Sequence, residues 1–169
     1  VAAQRLGGNT CGVLAWEMVN LRDGNGMEIR VTAMPARHGP EEIKVATGDV
    51  TGWMLEWEGQ HRGALYISGD TVFFEDLEEI SRRYRAGVAL LHFGAACTQR
   101  FGPAHLTLTG TEGARFAKIL GEATIIPIHY EGWTHLTEGR AEIEQAFTAA
   151  GLEKRLLFLP LGQPVSIDI

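Results

Sequence analysis

Two short apolar runs, Val88–His92 (VALLH) and Ala123–Ile128 (ATIIPI), constrain the fold of this chain more than any other feature. Each reads as a buried strand, and the stretch Thr109–Leu120 between them has the length and spacing of a helix. Before Val88, Phe73, Phe74, Leu77, Ile80 and Tyr84 recur at helical spacing with Glu and Arg between them. After Ile128, Glu138–Ala150 places Ile143, Ala146 and Phe147 on one helical face, with Gly151 as its stop. Strand and helix therefore alternate through the second half. The first half is a run of strands instead. Cys11–Glu17 is short and apolar. Met27–Met34 alternates Ile29, Val31 and Ala33 against Glu28, Arg30 and Thr32, after a turn at Gly24-Asn25-Gly26. Trp53–Trp57 and Ala64–Ser68 read as a hairpin around Glu58–Gly63, and Arg155–Leu159 and Pro164–Ile167 read as closing strands. This order predicts a mixed sheet covered by helices, within one domain spanning residues 1–169.

Net charge is −6 over 169 residues, with no run of Lys or Arg. A basic surface is what non-specific binding to nucleic acid or an anionic membrane requires, so neither partner is expected. No apolar run reaches the ~18 residues that span a bilayer. The opening VAAQRLGGNT has neither a basic start nor an apolar core, so no signal peptide is read there; lacking Met, it is not read as a native start. Cys11 and Cys97 lie far apart, which excludes a paired-cysteine zinc knuckle and fits a reducing, cytoplasmic compartment.

Chemistry-bearing residues cluster at strand ends, where a sheet presents side chains to a common edge. His38 follows a strand in MPARHG, Asp70 follows one in YISGDT, His92 ends VALLH and His129 ends ATIIPIH. His105 lies in the loop GPAHLT. Imidazoles from separate strands sharing one carboxylate suit a dinuclear metal site. Each residue also has a plainer reading. A lone strand-end His is commonly just hydrogen-bonded, and Asp70 suits an Asx-turn or the N-cap of the Phe73 helix. His61 reads as solvated and His135 as loop or helix-entry structure. Cys97 stands in a Gly-rich loop as a thiol that could line a site. Trp53 and Trp57 share one strand face and read as core.

The ordered set MPARHG, LYISGDT, GPAHLT and IPIHYEGW resembles the metallo-β-lactamase superfamily. It looks most like the ascorbate-6-phosphate lactonase branch, which is similar to N-acyl-phosphatidylethanolamine phospholipase D. The resemblance runs from about Leu6 to the C-terminus. It implies an α/β (α+β) fold: half of a four-layer αββα sandwich, a mixed sheet with helices on one side. It also implies two divalent metal ions, zinc first, with manganese or iron as alternatives. His38 would complete the first metal site, Asp70 would bridge both metals, and His129 would complete the second. His105 would sit beside the metals to orient substrate or assist the leaving group. The nucleophile implied is a hydroxide between the metals.

The family's His-x-His-x-Asp-His string, which gives two ligands to each metal, is absent from this sequence, and no histidine precedes His38. The expectation is therefore the C-terminal portion of such a domain, inactive alone, either as a fragment or with its N-terminal half supplied separately; a truncated pseudoenzyme is the lesser alternative. Half a sandwich also leaves an apolar sheet face beyond the few hundred Å² usual for a soluble monomer, which favours covering by that half or by a homo-oligomer. The expected function is metal-dependent hydrolysis of a small phosphoester or lactone-type substrate. The alternative is a degenerate, metal-free binding module of the same fold. Redox or thiol hydrolysis within the superfamily is a third reading. Its diiron form would call for Glu or Asp in ligand positions where His38 and His129 stand.

Overall fold

The computed structural model describes residues 10–169, and the opening VAAQRLGGN lies outside them. Six strands form one sheet: β1 (Met18–Arg22), β2 (Glu28–Pro35), β3 (Thr51–Trp57), β4 (Ala64–Ile67), β5 (Ala86–His92) and β6 (Thr124–Ile128). They lie side by side in chain order. Neighbours from β1 to β4 are antiparallel, whereas β4 with β5 and β5 with β6 are parallel. Four helices accompany the sheet: α1 (Lys44–Thr47), α2 (Asp76–Arg83), α3 (Gly110–Ile119) and α4 (Arg140–Ala149). The expected mixed sheet with helices is what the chain forms.

The parallel pairs are those joined by helical crossovers. A short turn joins β1 to β2, whereas the β2–β3 connection is longer and carries α1. In the β1–β2 turn, Asp23 Oδ1 accepts from the N–H of Asn25 at 2.9 Å and of Met27 at 2.7 Å. After β4 the chain returns through α2 and then α3, and such crossovers leave successive strands parallel. Both helices cover one face of the sheet. There Met34, Met54, Tyr66, Ala89, Leu91 and Ile125 pack with Leu77 and Ile80 of α2, Phe116 of α3, and Ile143 and Phe147 of α4. Burial of each large apolar side chain contributes about 1.5–3 kcal/mol.

Several expectations are corrected. Cys11–Glu17 is not a strand: Leu14 is exposed, Trp16 has φ +74°, and the first strand begins at Met18. β1 escapes notice in sequence because an edge strand with exposed Met18, Asn20 and Arg22 carries little apolar signal. The Phe73 helix starts at Asp76, capped by Glu75 without a side-chain bond, so Asp70 is not its N-cap. Phe73 precedes that helix and meets Phe116 edge-on at 6.1 Å. The two closing strands do not form. Residues 153–155 make a 3₁₀ turn, Leu156 makes one isolated bridge to Ile125, and Pro164–Ile167 joins no sheet. Trp53 and Trp57 are not in the main core. Alternation gives the helix side of β3 to Gly52 and Met54, leaving both tryptophans half-buried on the opposite face. No helix among the described residues is long and apolar enough to cross a membrane.

Candidate metal centre

β2 is antiparallel to β3 and β3 to β4, so β2, β4, β5 and β6 all point the same way. Their C-terminal ends share one edge of the sheet. His38 follows β2, Asp70 follows β4, His92 ends β5, and His129 follows β6. Functional side chains in sheets with parallel strands gather at this edge, because the strand bodies are committed to the core.

The backbone fixes each loop. Arg37 N–H donates to Thr71 Oγ1 at 2.9 Å, and Val72 N–H donates to the Arg37 carbonyl at 2.9 Å. These bonds stitch the His38 loop to the Asp70 loop. Gly69 turns the chain into Asp70 at φ +63°, where an added Cβ would meet Thr51 O at 2.5 Å. His129 itself is left-handed at φ +59°, an uncommon conformation for a residue with a Cβ.

Hydrogen bonding sets the imidazole of His129. Its Nδ1 lies 3.2 Å from the Phe93 carbonyl, which can only accept, so Nδ1 carries the proton. Its Nε2 lies 3.9 Å from Asp70 Oδ2, so the nitrogen and the carboxylate oxygen share one side of the cavity. His38 shares this environment: burial lowers its pKa, Asp70 raises it and His129 lowers it further. The net direction is towards the neutral imidazole, the form that ligates metals. His92 is lowered in the same way, first by burial, with Asp70 opposing and His129 assisting.

His38, Asp70, His129, His135, Thr98 and Leu106 line a cavity of about 110 Å³ at this edge. Larger hollows lie elsewhere, and the two most voluminous of them, about 800 Å³ at the opposite edge and about 710 Å³ beside α1, hold none of the three predicted donors. The donors decide the site, not the volume. Among the described residues, no three His, Cys, Asp or Glu side chains close on a single point as the ligands of a bound metal do. The donors are gathered but not clenched.

The structure places His38, Asp70 and His129 together, and it places His105 apart. His105 is exposed beside Leu106 and does not line the cavity. His135, read from sequence as loop structure, does line it. The Cys97 N–H donates to the His135 carbonyl at 2.8 Å and the Thr137 N–H donates to the Gly94 carbonyl at 2.9 Å, tying the His135 loop to the Gly-rich loop. Cys97 lies in that loop, its thiol 3.0 Å from the Gly102 carbonyl. The sequence signal for His135 was its place in the loop that His129 opens. His92, which ends a strand in sequence, lies with its ring 6.0 Å from that of His129 and does not line the cavity.

The profile of the Beta-lactamase superfamily domain matches residues 6–130. The chain belongs to this superfamily. A UPF0173 metal-dependent hydrolase of Pyrococcus abyssi is 26% identical over 138 residues, covering 81% of this chain and 55% of that protein. Another, of Methanoregula boonei, is 32% identical over 146 residues, covering 83% of this chain and 59% of the relative. The chain thus spans little more than half the length of these curated relatives. Solved structures share the fold. The isothiocyanate hydrolase from Delia radicum gut bacteria superposes with TM-score 0.74 at 22% identity, over 94% of this chain and 60% of its own. A metallo hydrolase from Ignicoccus hospitalis gives TM-score 0.72 at 24% identity, over 98% of this chain and 64% of its own. His38, Asp70 and His129 are residue types that ligate divalent cations and share one cavity, though in this arrangement no three donors among the described residues close on one ion.

Proposed function

We propose that this chain provides the catalytic edge of a metal-dependent hydrolase acting on a small phosphoester or lactone-type substrate. The observation that carries the reading is the approach of His129 Nε2 to Asp70 Oδ2 at 3.9 Å, with His38 on the same cavity. His38 with Asp70 would hold one ion and His129 with Asp70 the other, zinc in the first place and manganese or iron otherwise. Such an ion polarises a bound oxygen and brings the pKa of a bound water towards ~7.

The chain's own residues do the rest. Asp70 holds negative charge between the two imidazole groups. The Phe93 carbonyl keeps the His129 proton on Nδ1 and its lone pair on the cavity. Leu106 and Ala96 give the cavity an apolar wall, and its small volume suits a compact group such as a phosphate or a lactone ring. His105, exposed at the rim, is proposed to orient the substrate or assist the leaving group.

Each ion would have two protein ligands from this chain, below the three usual for catalytic zinc. The complete unit is therefore proposed to include a second sheet that supplies further ligands. It would pack on the face bearing the half-buried Trp53, Leu55 and Ile67.

Elemental analysis tests the reading, on this chain and on the complete protein. About two ions per complete protein, falling sharply in Asp70→Ala at both sites, is the expected result. An Asp70→Ala protein with full metal and full turnover would sink the bridging role. Absence of metal from both preparations would favour the degenerate binding module.

A further inference from the structure

Besides His38, Asp70 and His129, the cavity is lined by three polar residues, Thr98, Thr107 and His135. They are not alike. Thr107 is fully committed: its hydroxyl donates to the Phe93 carbonyl at 2.9 Å and accepts from the Ala96 N–H at 3.0 Å. Thr98 is not. It stands at the N-cap of the 3₁₀ turn Gln99–Phe101, where a threonine hydroxyl commonly accepts from a backbone N–H, yet it makes no such bond. Its Oγ1 is buried with no hydrogen-bond partner among the described residues. Buried hydroxyls are nearly always paired in folded proteins, so an orphan on a cavity wall points to a partner that comes from outside the chain.

His135 has the same character. No described residue hydrogen-bonds its ring nitrogens, and its ring contact is with Trp133, 6.0 Å away between centroids. The loop that carries it is fixed all the same. The Cys97 N–H donates to the His135 carbonyl at 2.8 Å, the Thr137 N–H to the Gly94 carbonyl at 2.9 Å, and Thr137 Oγ1 to the Ala95 carbonyl at 2.8 Å. These bonds hold His135 beside the segment that Thr98 continues. An anchored backbone with uncommitted polar side chains, next to the apolar Ala96 and Leu106, is the make-up of a ligand-binding wall.

We infer that Thr98 and His135 are substrate-contacting residues, which receive the acceptor oxygen of the group that enters the cavity: a phosphoryl oxygen or a lactone carbonyl oxygen. This rests on the hydrolase reading above and deepens it. A hydroxyl and an imidazole N–H can both donate to such an oxygen, and neither needs a metal ion to do so. His105, exposed and outside the lining, is left to whatever part of the substrate stays at the rim.

The test uses the complete protein, with inorganic phosphate and γ-butyrolactone as probes. Binding is followed by calorimetry and by ¹H–¹⁵N spectra of the histidine side chains. Thr98→Val is the first variant, since it keeps the shape and removes only the hydroxyl. Its melt should match or exceed the parent's, because an unpaired polar atom is lost. Affinity for at least one probe should fall about fivefold in Thr98→Val and about tenfold in His135→Gln. Metal content should equal the parent's in both variants, and the His135 ring signals should shift when that probe is added to the parent. A response to phosphate alone assigns a phosphoester, and a response to γ-butyrolactone alone assigns a lactone. Parent-like affinity for both probes in both variants would overturn the inference, as would a parent that binds neither. Metal content and turnover of the same preparations judge the hydrolase reading separately. Loss of metal from His135→Gln would also overturn the inference, by making His135 a ligand. Should His135→Gln fail to fold, Thr98→Val and the parent's spectra decide, and unchanged affinity or unmoved His135 signals would sink the assignment.

Discussion

His129 shows how one residue is held ready at a backbone cost. A left-handed conformation outside glycine costs about 1–3 kcal/mol and persists only where the surroundings impose it. Gly94, at φ +101°, is part of that surrounding: a Cβ there would meet the His129 carbonyl at 2.6 Å and Leu136 at 2.8 Å. Gly94→Ala should therefore destabilise the fold by about 1–3 kcal/mol and weaken metal uptake, read by denaturant melts and metal titration. A melt unchanged from the parent would show that the loop yields freely. Tyr66 makes the opposite case. It is fully buried, its hydroxyl has no hydrogen-bond partner among the described residues, and burial pushes its pKa well up. Tyr66→Phe removes an unsatisfied polar atom while keeping the ring against Phe116, 5.7 Å away. The expected change is from neutral to about 1 kcal/mol of stabilisation, and a loss of stability would reveal a hidden partner for the hydroxyl.

Among the elements, α3 links packing to the site. Thr109 and Glu112 form a reciprocal capping box at its start, and Glu138 Oε2 accepts from the Gly110 N–H at 2.6 Å. Glu138 belongs to the loop that carries His135, so the helix start and the cavity wall share a contact. Thr109→Ala should cost about 1 kcal/mol in thermal or denaturant melts. Glu138→Gln should cost less in stability yet loosen the 130–139 loop, visible as faster amide exchange at Leu136 and Thr137. Exchange equal to the parent would show that the backbone bonds to Gly94 hold that loop alone. These elements were legible to unequal degrees. α3, α4, β5 and β6 follow from apolar spacing because both partners of each contact lie in the core. β1 does not, since its side chains face solvent. The closing segments do not form strands: Leu156 and Leu157 meet β6 only at Ile125, and residues 164–167 join no sheet.

At the scale of the whole molecule, the helix-covered face of the sheet is buried among the described residues and the other face is only half-buried. Trp53 and Trp57 report on it, being half-buried in this chain. Adding the complementary portion of the protein should shift tryptophan emission to the blue, and the shift should vanish in a Trp53→Phe, Trp57→Phe chain. Emission that does not move would mean that the face is covered in another way. The strand-end positions of His38, Asp70 and His129 were readable because each ends an apolar run. The contact of His92 with Ser68 was not, because Ser68 is a neighbour only once β4 and β5 have paired.

The donors reach one edge only because β2, β4, β5 and β6 are aligned through the full width of the sheet. Nothing local joins His38 to His129. In time rather than in space, this makes the site the last thing the chain acquires. Helices and the β3–β4 hairpin form from near neighbours, whereas bringing β2 and β6 into one sheet requires closure over most of the chain. In refolding, cation uptake should trail the recovery of helical signal, so that ion binding records completed assembly and not its early stages.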